Sequence, residues 1–118
     1  MIQPIDLQAD NVFAYRIEGE VRASEMRPLV NILETKLQQH KKMRLYAEYV
    51  GVEDVSLTAV WEDLKFNFSH LTDFEKAAIV TDRDWIGLSA GLVGLIPGLD
   101  VKFFTFAEQE QARQWVKR

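Results

Sequence analysis

The sequence predicts an α/β fold: a mixed five-stranded sheet, elements in the order β-β-α-β-α-β-α-β-α, first strand antiparallel, helices mainly on one face. Three observations lead there. Short runs of alternating apolar and polar residues read as strands. Stretches with apolar residues at helical spacing separate and follow them. The strands at 12–18 and 43–50 each keep a polar side, whereas a sheet wrapped by helices on both faces needs strands that are apolar on both. A chain of 118 residues, 47% hydrophobic and 27% charged, fits one ordinary globular domain spanning 1–118.

Ile2–Gln8 and Val12–Glu18 are strand-like runs, and Ala9-Asp10-Asn11 between them is turn chemistry that favours a hairpin. In the second run Phe13, Tyr15 and Ile17 alternate with Ala14, Arg16 and Glu18. Ser24 is a suitable N-cap for a helix whose stripe is Met26, Leu29, Val30, Ile32, Leu33 and Leu37. The run from Gln38 to Lys42 places basic residues at its carboxyl end. Met43–Val50 is the next strand, with Leu45, Ala47 and Tyr49 on one side and Arg44, Tyr46 and Glu48 on the other. Arg16 beside Glu48 and Tyr46 reads as a cross-strand charge pair on a wet face, worth about 0.2 to 1 kcal/mol.

Ser56 is placed to cap a second helix with Leu57, Val60, Trp61, Leu64, Phe68 and Leu71 inward, Phe66 and Phe74 adding aromatic mass beyond that stripe. Lys76–Thr81 is a short buried strand. The stretch that follows, Trp85 to Leu99, reads WIGLSAGLVGLIPGL and carries no charge. Its apolar residues fall on every side of a helical wheel, so it needs cover from protein, ligand or lipid. It reaches only about 22 Å at 1.5 Å per residue, too short to cross a bilayer core of about 30 Å. Gly87, Gly91 and Gly94 weaken it as a helix and permit close approach. Pro97-Gly98 stops it; Val101–Phe106 is the last strand and Ala107–Arg118 a closing helix.

Composition excludes several functions. A formal net charge of -4 argues against nucleic acid, whose phosphates call for clustered cations. There is no cysteine, hence no disulfide framework, thiolate nucleophile or Cys-ligated zinc. The start, MIQPIDLQADNVFAY, lacks the basic and apolar regions of a signal peptide. A cytoplasmic protein is expected, with no cofactor.

The phrases AVWEDLKFNFSHLTDFEKAAIVTDRDW, DVKFFTF and EQARQWV resemble the SpoIIAA-like family, which shares the fold of the STAS and CRAL-TRIO lipid-binding domains. The resemblance implies a βα superhelix whose second and third helices cover or uncover an apolar space. It places Trp61, Leu64 and Phe68 on one lid helix and Trp85, Leu88, Leu92 and Leu95 on the other. STAS anti-sigma factor antagonists are phosphorylated within Asp-Ser-Ser/Thr-Gly. The corresponding stretch here is GVEDVSLT, without that motif, and the phosphosite is not carried to Ser56.

The expected pocket is therefore apolar: Tyr49 on the third strand, Leu57, Trp61, Leu64 and Phe68 on one helix, and Trp85, Leu88, Leu92, Leu95 and Ile96 on the other. Its occupant would be an apolar or amphipathic small molecule such as a lipid, with transient contact of the lid with a membrane surface. Each buried methylene contributes about 0.8 kcal/mol, so roughly ten suffice for micromolar affinity after the cost of association. Two other readings use the same residues. A STAS-type interaction module would spend the apolar helix on a protein partner or a homodimer. An esterase would use Ser89, since Gly87-Leu88-Ser89-Ala90-Gly91 matches G-x-S-x-G, but the strand that motif needs immediately before its serine ends near Thr81.

Glu53, Asp54, Asp82 and Asp84 follow two strand ends, where open α/β sheets bind ligands. They suit a hard cation such as Mg²⁺, yet solvated loop carboxylates are the simpler reading and no metal is assigned. His40 and His70 stand near helix ends without a second ligand at metal spacing.

Overall fold

Strand β1 (Ile2–Pro4) runs antiparallel to β2 (Val12–Glu18), and β3 (Met43–Val50), β4 (Phe74–Val80) and β5 (Asp100–Phe104) follow in parallel, giving one five-stranded sheet in the order β1-β2-β3-β4-β5. The computed structural model describes residues 1–19, 23–51, 74–82, 98 and 100–118. The mixed sheet with its antiparallel first strand is the one the sequence predicts, and β2 and β3 have the expected boundaries. The helices expected at 56–71 and 85–96 lie outside the described residues.

Several boundaries move for local reasons. Strand β1 ends at Pro4 because Gln8 N–H donates to Asp6 Oδ1 at 2.8 Å and Gln8 takes φ 59°, so the chain turns where the first run was expected to continue. The Ala9-Asp10-Asn11 turn closes through Val12 N–H to the Ala9 carbonyl at 3.1 Å. Strand β4 begins at Phe74, two residues early, with Phe74 beside Met43 before a register shift at Met43/Arg44. Strand β5 stops at Phe104 because the Glu108 carboxylate accepts the Thr105 N–H at 3.0 Å and its hydroxyl at 3.1 Å, winding Phe106–Glu108 into a 3-10 turn.

Helix α1 (Ala23–Gln39) includes Ser24 in its first turn, so Ser24 does not precede it as an N-cap. Its Leu29 and Leu33 pack on Phe13, Tyr15, Ile17, Met43, Leu45, Ala47, Tyr49, Ala77 and Ile79, the alternate residues of β2, β3 and β4. Val30 and Leu37 flank that core, while Ile32, counted in the stripe, is 38% exposed and faces out.

The C-terminal helix (Gln109–Lys117) lies against the opposite face. Gln109, Ala112, Arg113 and Val116 share one side of it at i, i+3, i+4 and i+7. Ala112 and Val116 are buried with Leu7, Val12, Ala14, Tyr46, Ala78, Val80 and Phe104. Its last carbonyls, which have no partner within a helix, are held from the sheet. Arg44 donates to the Val116 oxygen at 2.9 Å and to that of Arg118, and Lys76 Nζ lies 3.3 Å from the Trp115 oxygen and 3.0 Å from that of Arg118. Trp115 packs 6.0 Å from the Phe104 ring, with Lys76 and Lys102 over its face.

This second layer corrects the wet-face reading of β3. A central strand of a parallel stack is covered on both sides: Tyr46 and Glu48 are each 0% exposed. The alternation of polar and apolar residues is real, but the polar side meets a helix carrying matching polar groups.

Candidate functional site

The described part of the molecule carries two polar clusters, one on each face of the sheet at the carboxyl end of β3. On the α1 face, parallel pairing sets Ile17 beside Tyr49 and Tyr15 beside Ala47, so the two tyrosines lie diagonally across neighbouring strands. Their rings meet edge to face with centroids 6.2 Å apart, and their hydroxyls are 2.9 Å apart. Tyr15 is 2% exposed and Tyr49 3%. Among the described residues the buried cluster around them is apolar.

Tyr49 also borders a pocket of about 300 Å³ with Val50, Gly51, Thr81, Asp82 and Phe106. It opens beyond the carboxyl ends of β3 and β4, the customary ligand position in open α/β sheets. Gly51 takes φ 63°, which lets the chain leave β3 at a sharp angle. The Phe106 N–H donates to Asp82 Oδ1 at 2.9 Å, and the Thr81 N–H to the Phe104 carbonyl at 2.9 Å, so the 3-10 turn is tied to the end of β4.

On the other face the buried Glu48 carboxylate is shared by four side chains. Arg16 donates to Oε1 through Nε at 2.8 Å and through its second nitrogen at 2.8 Å. Oε2 accepts from the Tyr46 hydroxyl, from Gln109 at 2.7 Å and from Arg113 at 3.2 Å. Arg113 also stacks over the Tyr46 ring and donates to its hydroxyl at 3.3 Å. Burial alone pushes the Glu48 carboxyl up, but the donors from Tyr46, Gln109, Arg16 and Arg113 outweigh it and hold the group below its usual 4.5. The cluster is a filled structural joint, because every oxygen of the carboxylate is occupied.

Of the expected pocket residues, Tyr49 is described and stands at the pocket. Leu57, Trp61, Leu64, Phe68, Trp85, Leu88, Leu92, Leu95 and Ile96 lie outside the described residues, as do Ser56, Ser89, His70, Glu53, Asp54 and Asp84. Asp82 is described, and its carboxylate is engaged with Phe106. His40 follows α1, its N–H bonded to the Lys36 carbonyl at 3.1 Å. Among the described residues no group of three or more His, Cys, Asp or Glu could hold a metal ion. The Arg16–Glu48 pair is present as expected; Gln109 and Arg113 were not anticipated, although their i, i+4 spacing beside Ala112 and Val116 signals a shared face. Tyr15 was also missed, because its alternation with Arg16 places it inside without showing which residue it meets.

The sequence profile of the SpoIIAA-like family matches residues 12–117. The chain belongs to the SpoIIAA-like family. The sheet agrees with a crystal structure of an uncharacterized protein with a SpoIIAA-like fold from Shewanella loihica PV-4. The TM-score is 0.64 at 19% identity, over 98% of this chain and 92% of that one, a likeness that establishes the fold. Comparison with curated protein sequences returns no significant match. Among the described residues of this SpoIIAA-like chain no helix is long and apolar enough to cross a membrane.

The chain has three tyrosines, and all three hold their protons tightly. Burial pushes Tyr15 well above the usual 10.0, with the neighbouring Tyr49 adding to it. Burial also pushes Tyr49 to about 12, against a small opposing effect of the hydrogen bond with Tyr15, and Tyr46 to about 12, aided by Glu48. A raised phenol value in the folded state contributes stability that is intact below the unfolded value near 10 and lost as pH rises toward the folded one. Alkaline titration of the native protein should therefore show no tyrosinate absorbance near pH 10, then a rise coincident with unfolding. A separate step near pH 10 amounting to one tyrosine would contradict the burial of all three.

Proposed function

We propose that this SpoIIAA-like chain is a non-catalytic binding module for an apolar or amphipathic small molecule. The observation that carries it is the pocket at the carboxyl ends of β3 and β4, where Tyr49, Val50 and Phe106 supply apolar surface beside a buried, uncharged core. Sites for small molecules are mostly apolar with a few placed polar groups, and Thr81 and Asp82 provide those at the rim. The segments 52–73 and 83–97 leave the sheet at this same end. Residues 85–99 carry no charge and residues 52–73 include Trp61, Phe66 and Phe68, sequence suited to covering such a site, and reversible membrane contact of a cytoplasmic protein through residues 85–99 belongs to the same reading.

The test uses tryptophan emission. Trp115 sits on the opposite face against Phe104, so in Trp115→Phe the signal comes from Trp61 and Trp85. Titration with octanoate, methyl octanoate and lysophosphatidylcholine should give a saturable shift to shorter wavelength with at least one of them. No change with any of them at any ratio would overturn the reading. The alternative, a STAS-type interaction module, is supported by membership of the SpoIIAA-like family. A tight dimer by light scattering in the same unresponsive protein would favour it.

A further inference from the structure

Two phenol hydroxyls that share one hydrogen bond own two protons. Whichever of Tyr15 and Tyr49 donates across the 2.9 Å separation, the oxygen that accepts retains a proton of its own. Among the described residues no acceptor receives it. Both side chains are more than nine-tenths buried, so water does not reach them as it would on a surface. A buried donor left without an acceptor is costly, whereas two phenylalanines of the same shape carry no such penalty.

We infer that the Tyr15–Tyr49 hydroxyl pair is the polar anchor of the apolar site, donating its spare proton to a carbonyl oxygen of a neutral, elongated molecule such as a ketone or an ester. This rests on the binding-module reading above and names the ligand chemistry of that site. Tyr49 belongs both to the pair and to the pocket lining, which links the hydroxyls to the pocket.

The ligand group is an acceptor because the pair has a donor to offer. It is neutral for two reasons. Among the described residues no cation is buried beside the pair, and a carboxylate buried without one is strongly disfavoured. The charged residue that lines the pocket among the described residues, Asp82, is acidic and repels a carboxylate. The same low-polarity surroundings hold both phenols in their neutral, donating form to about pH 10 and beyond.

The experiment compares octane, methyl octanoate and octanoate by displacement of Nile red from the full-length protein and from Tyr15→Phe/Tyr49→Phe. The wild type should bind the ester about tenfold more tightly than octane. The double variant should bind both with the affinity the wild type has for octane, a difference of about 1.4 kcal/mol. Tyr15→Phe keeps the Tyr49 hydroxyl and its proton, and should hold the ester within about twofold of the wild type. A second readout needs no variant: the carbonyl stretch of the bound ester should fall below its frequency in hydrocarbon solvent.

An ester bound equally by wild type and double variant, or with an unshifted carbonyl stretch, overturns the anchor and leaves the apolar site standing. Octanoate bound more tightly than the ester overturns the neutral ligand class. Failure of the wild type to bind Nile red or any of the three removes the apolar site and this inference with it.

Discussion

Glu48→Ala should lower the unfolding free energy by about 3 kcal/mol, near the bottom of the range for breaking a buried ion pair. Glu48 is 0% exposed and receives four donors, so its removal strands the Tyr46 hydroxyl and the Gln109 amide together with two guanidinium groups. The arginines limit the damage, because Arg16 keeps 37% and Arg113 33% of its side chain in water and can be rehydrated there. Urea unfolding monitored by far-UV circular dichroism measures it. A midpoint within error of the wild type would mean that the carboxylate joins nothing together.

The same joint fixes an acid dependence. A carboxyl held below its usual 4.5 in the folded protein contributes stability that is fully present above the unfolded value. That stability is lost as pH falls through the lower folded value. The wild type should therefore lose stability as pH falls below the ordinary value of 4.5, and Glu48→Gln should lose less over the same interval. Equal slopes in the two proteins would assign the acid sensitivity to other carboxylates.

Deletion of residues 109–118 should have the largest effect, a loss of about 4 kcal/mol or more out of the 5 to 15 typical of a domain. It uncovers the Val116 site, worth about 1.5 to 3 kcal/mol in buried area. It also takes two donors from Glu48 and the carbonyl acceptors from Arg44 and Lys76. A broad, shifted denaturant transition with weak near-ultraviolet dichroism is the expected outcome. A sharp transition at the wild-type midpoint would show that the sheet stands without its second layer.

Strands β2 and β3 were legible to the residue because a period of two is dictated by the pleat and does not depend on neighbours. The antiparallel start was legible because Ala9-Asp10-Asn11 closes a turn within a few residues. The limits of β1 and β5 were less so, since they are set by single side chains, Asp6 and Glu108, capturing nearby N–H groups. At the candidate site Tyr49 was anticipated as an inward residue and Tyr15 was not singled out. Their hydroxyls meet only once β2 and β3 are in parallel register.

What the sequence determined by itself is the order of the strands, the direction of the first of them and the inward faces of β2, β3 and α1, all properties of local spacing and turn chemistry. Only the tertiary structure decided the fate of the polar face: Glu48 and Tyr46 lie under the C-terminal helix because residues 61 and more positions away, Gln109 and Arg113, supply the donors that make their burial affordable. Alternation tells which side of a strand a residue takes. Whether that side meets water or a complementary helix depends on contacts between distant parts of the chain, and no local pattern encodes them.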